Sequence, residues 1–162
     1  HRLRKLLVLE DLVRLADGKL SLDPGRVWTD VADFEAAAGL PDQALTALEA
    51  YGGDLLPGAG QAWVLPLRER WRLRFIDQIG RHGQALEQDS QWETAARLYE
   101  SGLSQDNLVE DFYAGCMRCC LALGRVAEGL RHYRRCRELL SIVLGIAPSA
   151  ATEALHRQLL AR

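Results

Sequence analysis

Four cysteines fall within one short stretch, Cys116, Cys119, Cys120 and Cys136, with His132 among them. Cys116-x2-Cys119 together with His132 and Cys136 would offer the thiolate and imidazole donors of a tetrahedral zinc site. The spacing argues against it. On a helix successive residues are rotated by about 100°, so Cys119 and Cys120 point apart and only part of the set could converge. The usual knuckle spacing is also absent. Cys116, Cys120 and Cys136 fall at positions of an internal repeat that pack helix on helix, where a free cysteine serves as a small hydrophobe. The expectation is core packing, with no metal and no cofactor. Crowding of the cysteines, where a secreted disulfide scaffold would spread them, favours a reducing cytoplasm.

Two groups of basic residues could meet a polyanion. Arg131, Arg134, Arg135 and Arg137 lie on a helix whose apolar stripe is Leu130, Tyr133, Leu140 and Leu144, and read as a solvated outer face. Arg2, Arg4 and Lys5 belong to an amphipathic pattern that precedes a short hairpin carrying Arg14 and Lys19. In a winged helix a helix enters the major groove and a hairpin wing lies along the phosphates. These five residues are the candidate DNA contacts. The net charge of -2 excludes a basic footprint over the whole chain, so any such contact must be local. No set of catalytic residues accompanies them. A Gly-rich loop ending in Lys-Ser/Thr, a His-Glu-x-x-His pair and a Gly-x-Ser-x-Gly elbow are all missing. Gly58-Ala-Gly60 lacks the flanking strand and helix that phosphate binding needs. The chain reads as a non-enzyme.

The elements that would hold these residues are mostly helical. With 162 residues, 48% apolar and 26% charged, the chain has globular composition and enough length to close a core without staples. No apolar run approaches the roughly 18 residues of a membrane span. Strands Leu12–Ala16 and Lys19–Leu22 flank Asp17-Gly18, a tight-turn pair. Asp30 is positioned to cap a helix through Phe34, with Gly39 as its stop, and a helix from Pro41 to Tyr51 follows. The breaker-rich segment 52–60 reads as a joint. Helices are expected over about Pro66–Glu87, Trp92–Ser104, Val109–Leu123, Val126–Leu144 and Ala150–Ala161, with Gly124 and Gly145 as C-terminal caps and Ser149 as an N-cap. Ile79, His82, Gly83, Leu86, Ala95, Tyr99 and Gly102 recur 34 positions later as Tyr113, Cys116, Met117, Cys120, Gly129, Tyr133 and Cys136. That period, with a small residue four before an aromatic, is the tetratricopeptide helix–turn–helix signature. The fold class is therefore all-α, a tetratricopeptide-like stack of antiparallel helical hairpins with a small N-terminal β-hairpin.

The order of these pieces resembles a known family. His1-Arg-Leu-Arg-Lys-Leu-Leu7, the Asp17-Gly18 hairpin, Leu22-Asp-Pro-Gly-Arg-Val-Trp-Thr-Asp-Val-Ala-Asp-Phe-Glu35, Tyr51-Gly-Gly-Asp-Leu-Leu-Pro57, Trp63-Val64 with Arg68 and Arg70, and Leu144-Gly-Ile-Ala-Pro-Ser149 are similar to segments of bacterial transcriptional activator domain proteins. Regulators of the Streptomyces antibiotic regulatory type are the model for that family. The resemblance implies an OmpR-type winged helix whose C-terminal end, recognition helix and wing, is residues 1–26, followed by the activator domain over 27–162. It also implies promoter DNA as a partner through the intact winged helix, and a protein partner such as RNA polymerase or another regulator domain. A homodimer and a cytoplasmic location go with it, and no membrane does. The main alternative is a tetratricopeptide-like scaffold for protein–protein contact without DNA binding. A metal or small-molecule sensor is a third class.

Overall fold

A computed structural model describes residues 12–23, 25–37 and 50–162 of the chain. The hairpin forms as its sequence dictates. Strand β1 (Val13–Ala16) pairs antiparallel with β2 (Lys19–Leu22), Val13 opposite Leu22 and Ala16 opposite Lys19. Asp17 and Gly18 take φ of 52° and 73°, the left-handed pair that a two-residue hairpin turn requires. Helix α1 (Asp30–Ala37) follows. Its cap is Thr29 and not Asp30: Thr29 Oγ1 accepts the N–H of Ala32 at 3.2 Å, while the Asp30 carboxylate accepts from its neighbour Val31. The expected stop at Gly39 and most of the expected helix from Pro41 to Tyr51 lie outside the described residues.

The remaining helices are α2 (Val64–Gln88), α3 (Trp92–Gln105), α4 (Glu110–Ala122), α5 (Val126–Leu139) and α6 (Ala150–Leu160). Each packs on the next, and α4 also touches α2 and α6, so the chain zigzags as a stack of antiparallel hairpins around α4. The expected helix to Leu144 changes character after Leu139. Residues Leu140–Leu144 form a π-helical turn that closes on Gly145 at φ 69°. Ser149 caps α6 as expected, accepting from the Thr152 N–H.

The 34-residue period is visible in how the helices end. After α2 the Gln91 N–H bonds to the Leu86 carbonyl and the Ser90 N–H to that of Glu87. After α4 the Arg125 and Gly124 N–H groups bond to Cys120 and Leu121 in the same pattern. Both are Schellman turns, which place one residue in the left-handed region. Gly124 adopts it freely at φ 71°, whereas Ser90, at φ 58°, bears the strain of a Cβ.

One aromatic residue fixes the spacing of three helices. Tyr99 of α3 is 1% exposed and lies against Gly83 of α2 and Gly115 of α4, where a Cβ on either glycine would overlap its ring. Its hydroxyl donates to Glu87 Oε1 at 2.7 Å, and Arg118 of α4 grips both oxygens of the same carboxylate at 2.7 Å. Burial, and then that hydrogen bond, raise the Tyr99 phenol well above its ordinary value. In the second hairpin Tyr133 stacks on His156 of α6 at 3.7 Å between ring centres and donates to Glu153. The close approach of α5 to α6 rests on Gly129, where a Cβ would come within 2.7 Å of Leu159.

Candidate functional site

The hairpin separates charge from apolar surface because side chains alternate along a strand. Arg14 lies opposite Ser21 and Lys19 opposite Ala16, so both cations share one face. The other face carries Val13, Leu15, Leu20 and Leu22. Only Val13 is buried there, while Leu15 and Leu20 are 65% and 68% exposed. The structure thus brings Arg14 and Lys19 together, while Arg2, Arg4 and Lys5 lie outside the described residues. The two cations are not equivalent. Arg14 is paired with Asp23 at 2.6 Å, and the second oxygen of that carboxylate accepts the Gly25 N–H. Lys19 is exposed and has no ion pair among the described residues.

The segment expected to be a joint is tied down by α2. Arg68 of α2 donates from Nε to the Leu55 carbonyl at 2.7 Å, and from Nη2 to the carbonyls of Leu56 and Ala59. Leu56 is held at φ 50°, a left-handed conformation that costs a branched residue about 1–2 kcal/mol. The arginine clamp offsets that strain, which gives Arg68 a structural reason to stand near Trp63-Val64. The loop, α1 and Trp71 of α2 line an open cleft of about 370 Å³ that also carries Phe34 and Tyr51, with Asp30 and Asp54 among its walls. Tyr51 stacks on Phe75 at 4.2 Å, and Phe34 meets the edge of Trp71 at 5.8 Å. Burial and the nearby Asp54 raise the Tyr51 phenol. Sequence reasoning missed this cleft, because its walls come from three segments far apart in the chain. The one signal was the density of breakers directly after Tyr51.

The cysteines go where the repeat places them. All four are free and 0–3% exposed. Burial pushes the Cys120 thiol up to about 11 and those of Cys119 and Cys136 to about 12, which leaves them unreactive near neutral pH. Cys136 and Cys116 pack within the main core beside Tyr113 and Leu140. His132 instead faces Glu100 of α3, its Nε2 3.5 Å from Oε1. Arg131, Arg134, Arg135 and Arg137 of α5 are all exposed. Among the described residues no helix is long and apolar enough to cross a membrane.

A family model described as the bacterial transcriptional activator domain matches residues 25–160. No curated protein matches the chain.

Proposed function

The chain belongs to the bacterial transcriptional activator domain family, whose members are regulatory domains and not enzymes, and from that premise we propose that it works in a DNA-binding transcription regulator. In this reading residues 1–26 end a winged helix, with the hairpin as its wing, and residues 27–162 are the activator domain. Promoter DNA is bound through the intact winged helix in the cytoplasm. The helical stack, of tetratricopeptide type, makes the protein contacts: to RNA polymerase, to another regulator domain, or to a second copy.

The observation that carries the proposal is the two-faced hairpin directly before the matched region. A wing needs an apolar face to lie on the body of its domain and a basic face for phosphates, and this hairpin carries both. A free-standing cap for a helical stack has no use for three exposed leucines opposite two cations. Ile142, Val143, Leu144 and Ile146, exposed together after α5, support a role in protein contact.

Lys19 tests the wing directly. In the full-length gene product Lys19→Ala weakens binding to promoter and scrambled duplex alike, and lowers the slope of log affinity against log salt by about 1, the signature of one lost phosphate contact. Unchanged affinity and slope would remove the hairpin from the DNA interface. If the full-length product binds no DNA at all, the scaffold reading replaces this one.

A further inference from the structure

We propose that Glu100, Glu128 and His132 form a binding site for a divalent transition-metal ion of the zinc class, bridging α3 to α5. Glu128 and His132 are four residues apart, one above the other on a single face of α5. Glu100 faces them from α3. One donor atom from each of the three lies within 4.8 Å of the others, and His132 Nε2 and Glu100 Oε1 are 3.5 Å apart. Donors bound to zinc at about 2.0–2.2 Å lie roughly 3–3.5 Å from one another, so closing the set needs a shift of about 1 Å. Glu100 is exposed and free to make it.

The charges ask for such an ion. Two carboxylates converge here, and among the described residues neither is paired with an arginine. The one group between them is an imidazole whose side chain is 16% exposed. Imidazole nitrogen is the commonest protein ligand for a transition-metal ion, and His132 presents one beside both carboxylates. Arg131 and Arg135 flank it on the same helix. Those guanidinium groups penalise a cation held by charge alone, as magnesium or calcium would be, and favour one that bonds to imidazole nitrogen. Glu100 and His132 also line a cavity of about 250 Å³ with Ser104 and Arg135, which leaves room for water or an external carboxylate to complete the shell. The site is separate from the cysteines. An ion in it would pin the first helical hairpin to the second and set the stiffness of the stack.

The test is a titration of the chelator-treated chain with zinc, followed by calorimetry and thermal unfolding, with cobalt(II) as a spectroscopic probe. The proposal expects one ion per chain and an unfolding temperature that climbs with zinc concentration. It also expects a cobalt spectrum without sulfur charge-transfer bands. Glu100→Gln and Glu128→Gln, checked for an unchanged metal-free unfolding temperature, should each weaken binding at least about tenfold, since even outer partners of a ligand are worth roughly 10–100-fold. Equal affinity in the wild type and both variants, sulfur-to-cobalt bands, or no binding at millimolar zinc would overturn it.

Discussion

Glu87 holds three helices together, and its removal has a calculable cost. The carboxylate accepts from Tyr99 Oη, Arg118 Nε and Arg118 Nη2, each at 2.7 Å, and its side chain is only 12% exposed. In Glu87→Ala the Tyr99 hydroxyl loses its acceptor inside the fold, a loss worth about 1–3 kcal/mol. Arg118 is 37% exposed and can rehydrate, so its two bonds are discounted to about 1 kcal/mol together. The sum is about 3 kcal/mol, or a fall of roughly 6–12 °C in unfolding temperature for a chain of this size. Urea unfolding followed by circular dichroism reads it as a lower midpoint at unchanged m. The pair Tyr99→Phe supplies the sharper readout. In the wild-type background it costs about 1 kcal/mol, and in Glu87→Ala it costs nothing or stabilises, because the orphaned hydroxyl goes with it. A Glu87→Ala cost below about 0.5 kcal/mol, or strictly additive energies, would refute the clasp.

Three further outcomes follow from the same core. The four thiols are raised in the fold and ionise near 9 when exposed, so their contribution is complete below pH 9 and is lost as pH rises through about 11 for Cys120, about 12 for Cys119 and Cys136, and higher still for Cys116. The unfolding free energy from urea titration should therefore fall between pH 9 and 10 by roughly 1 kcal/mol per thiol, and a stability flat to pH 10 would contradict their burial. Gly115→Ala drives a methyl into the Tyr99 ring and should destabilise by at least about 1–3 kcal/mol. Gly80→Ala, with nothing within 4 Å of its Cβ among the described residues, should stabilise by about 0.5–1 kcal/mol; equal effects at the two sites would refute the packing. Ser90→Gly relieves a left-handed serine and should raise stability by about 0.5–1 kcal/mol in thermal unfolding, whereas a loss would mean that its Cβ is not strained.

Where local chemistry decides, the chain could be read directly. Asp17-Gly18 forces a hairpin, Gly145 and Ser149 punctuate the last helices, and the 34-residue echo of Ala95 and Tyr99 in Gly129 and Tyr133 keeps a small residue four positions before each aromatic. Sterics at a few positions determine all of these. The same reasoning placed the cap of α1 one residue late, since Thr29 and Asp30 are both good caps and only the turn geometry chooses Thr29. It took 52–60 for a joint because the partner of those carbonyls, Arg68, stands 9–13 positions further along. The π turn at Leu140–Leu144 has no sequence mark distinct from an α-helix. Site residues were least legible of all. Arg14 and Lys19 could be placed on one hairpin, but the pairing of Arg14 with Asp23 depends on the fold of the Asp23–Val27 turn. The convergence of Glu100 on His132 needs two hairpins already stacked. A search for metal donors along the sequence settles on cysteines, which the packing buries.

The central claim is that this chain serves a promoter-reading regulator, and DNA binding across a salt series tests it most directly. The full-length gene product and the 162-residue chain would be titrated side by side with the gene's own promoter region and a scrambled duplex. The account predicts that the full-length product prefers the promoter, by roughly 10³-fold or more near physiological salt, with affinity falling steeply as salt rises, while the 162-residue chain shows no such preference. A full-length product that binds both duplexes equally at every salt concentration, or neither, would contradict it.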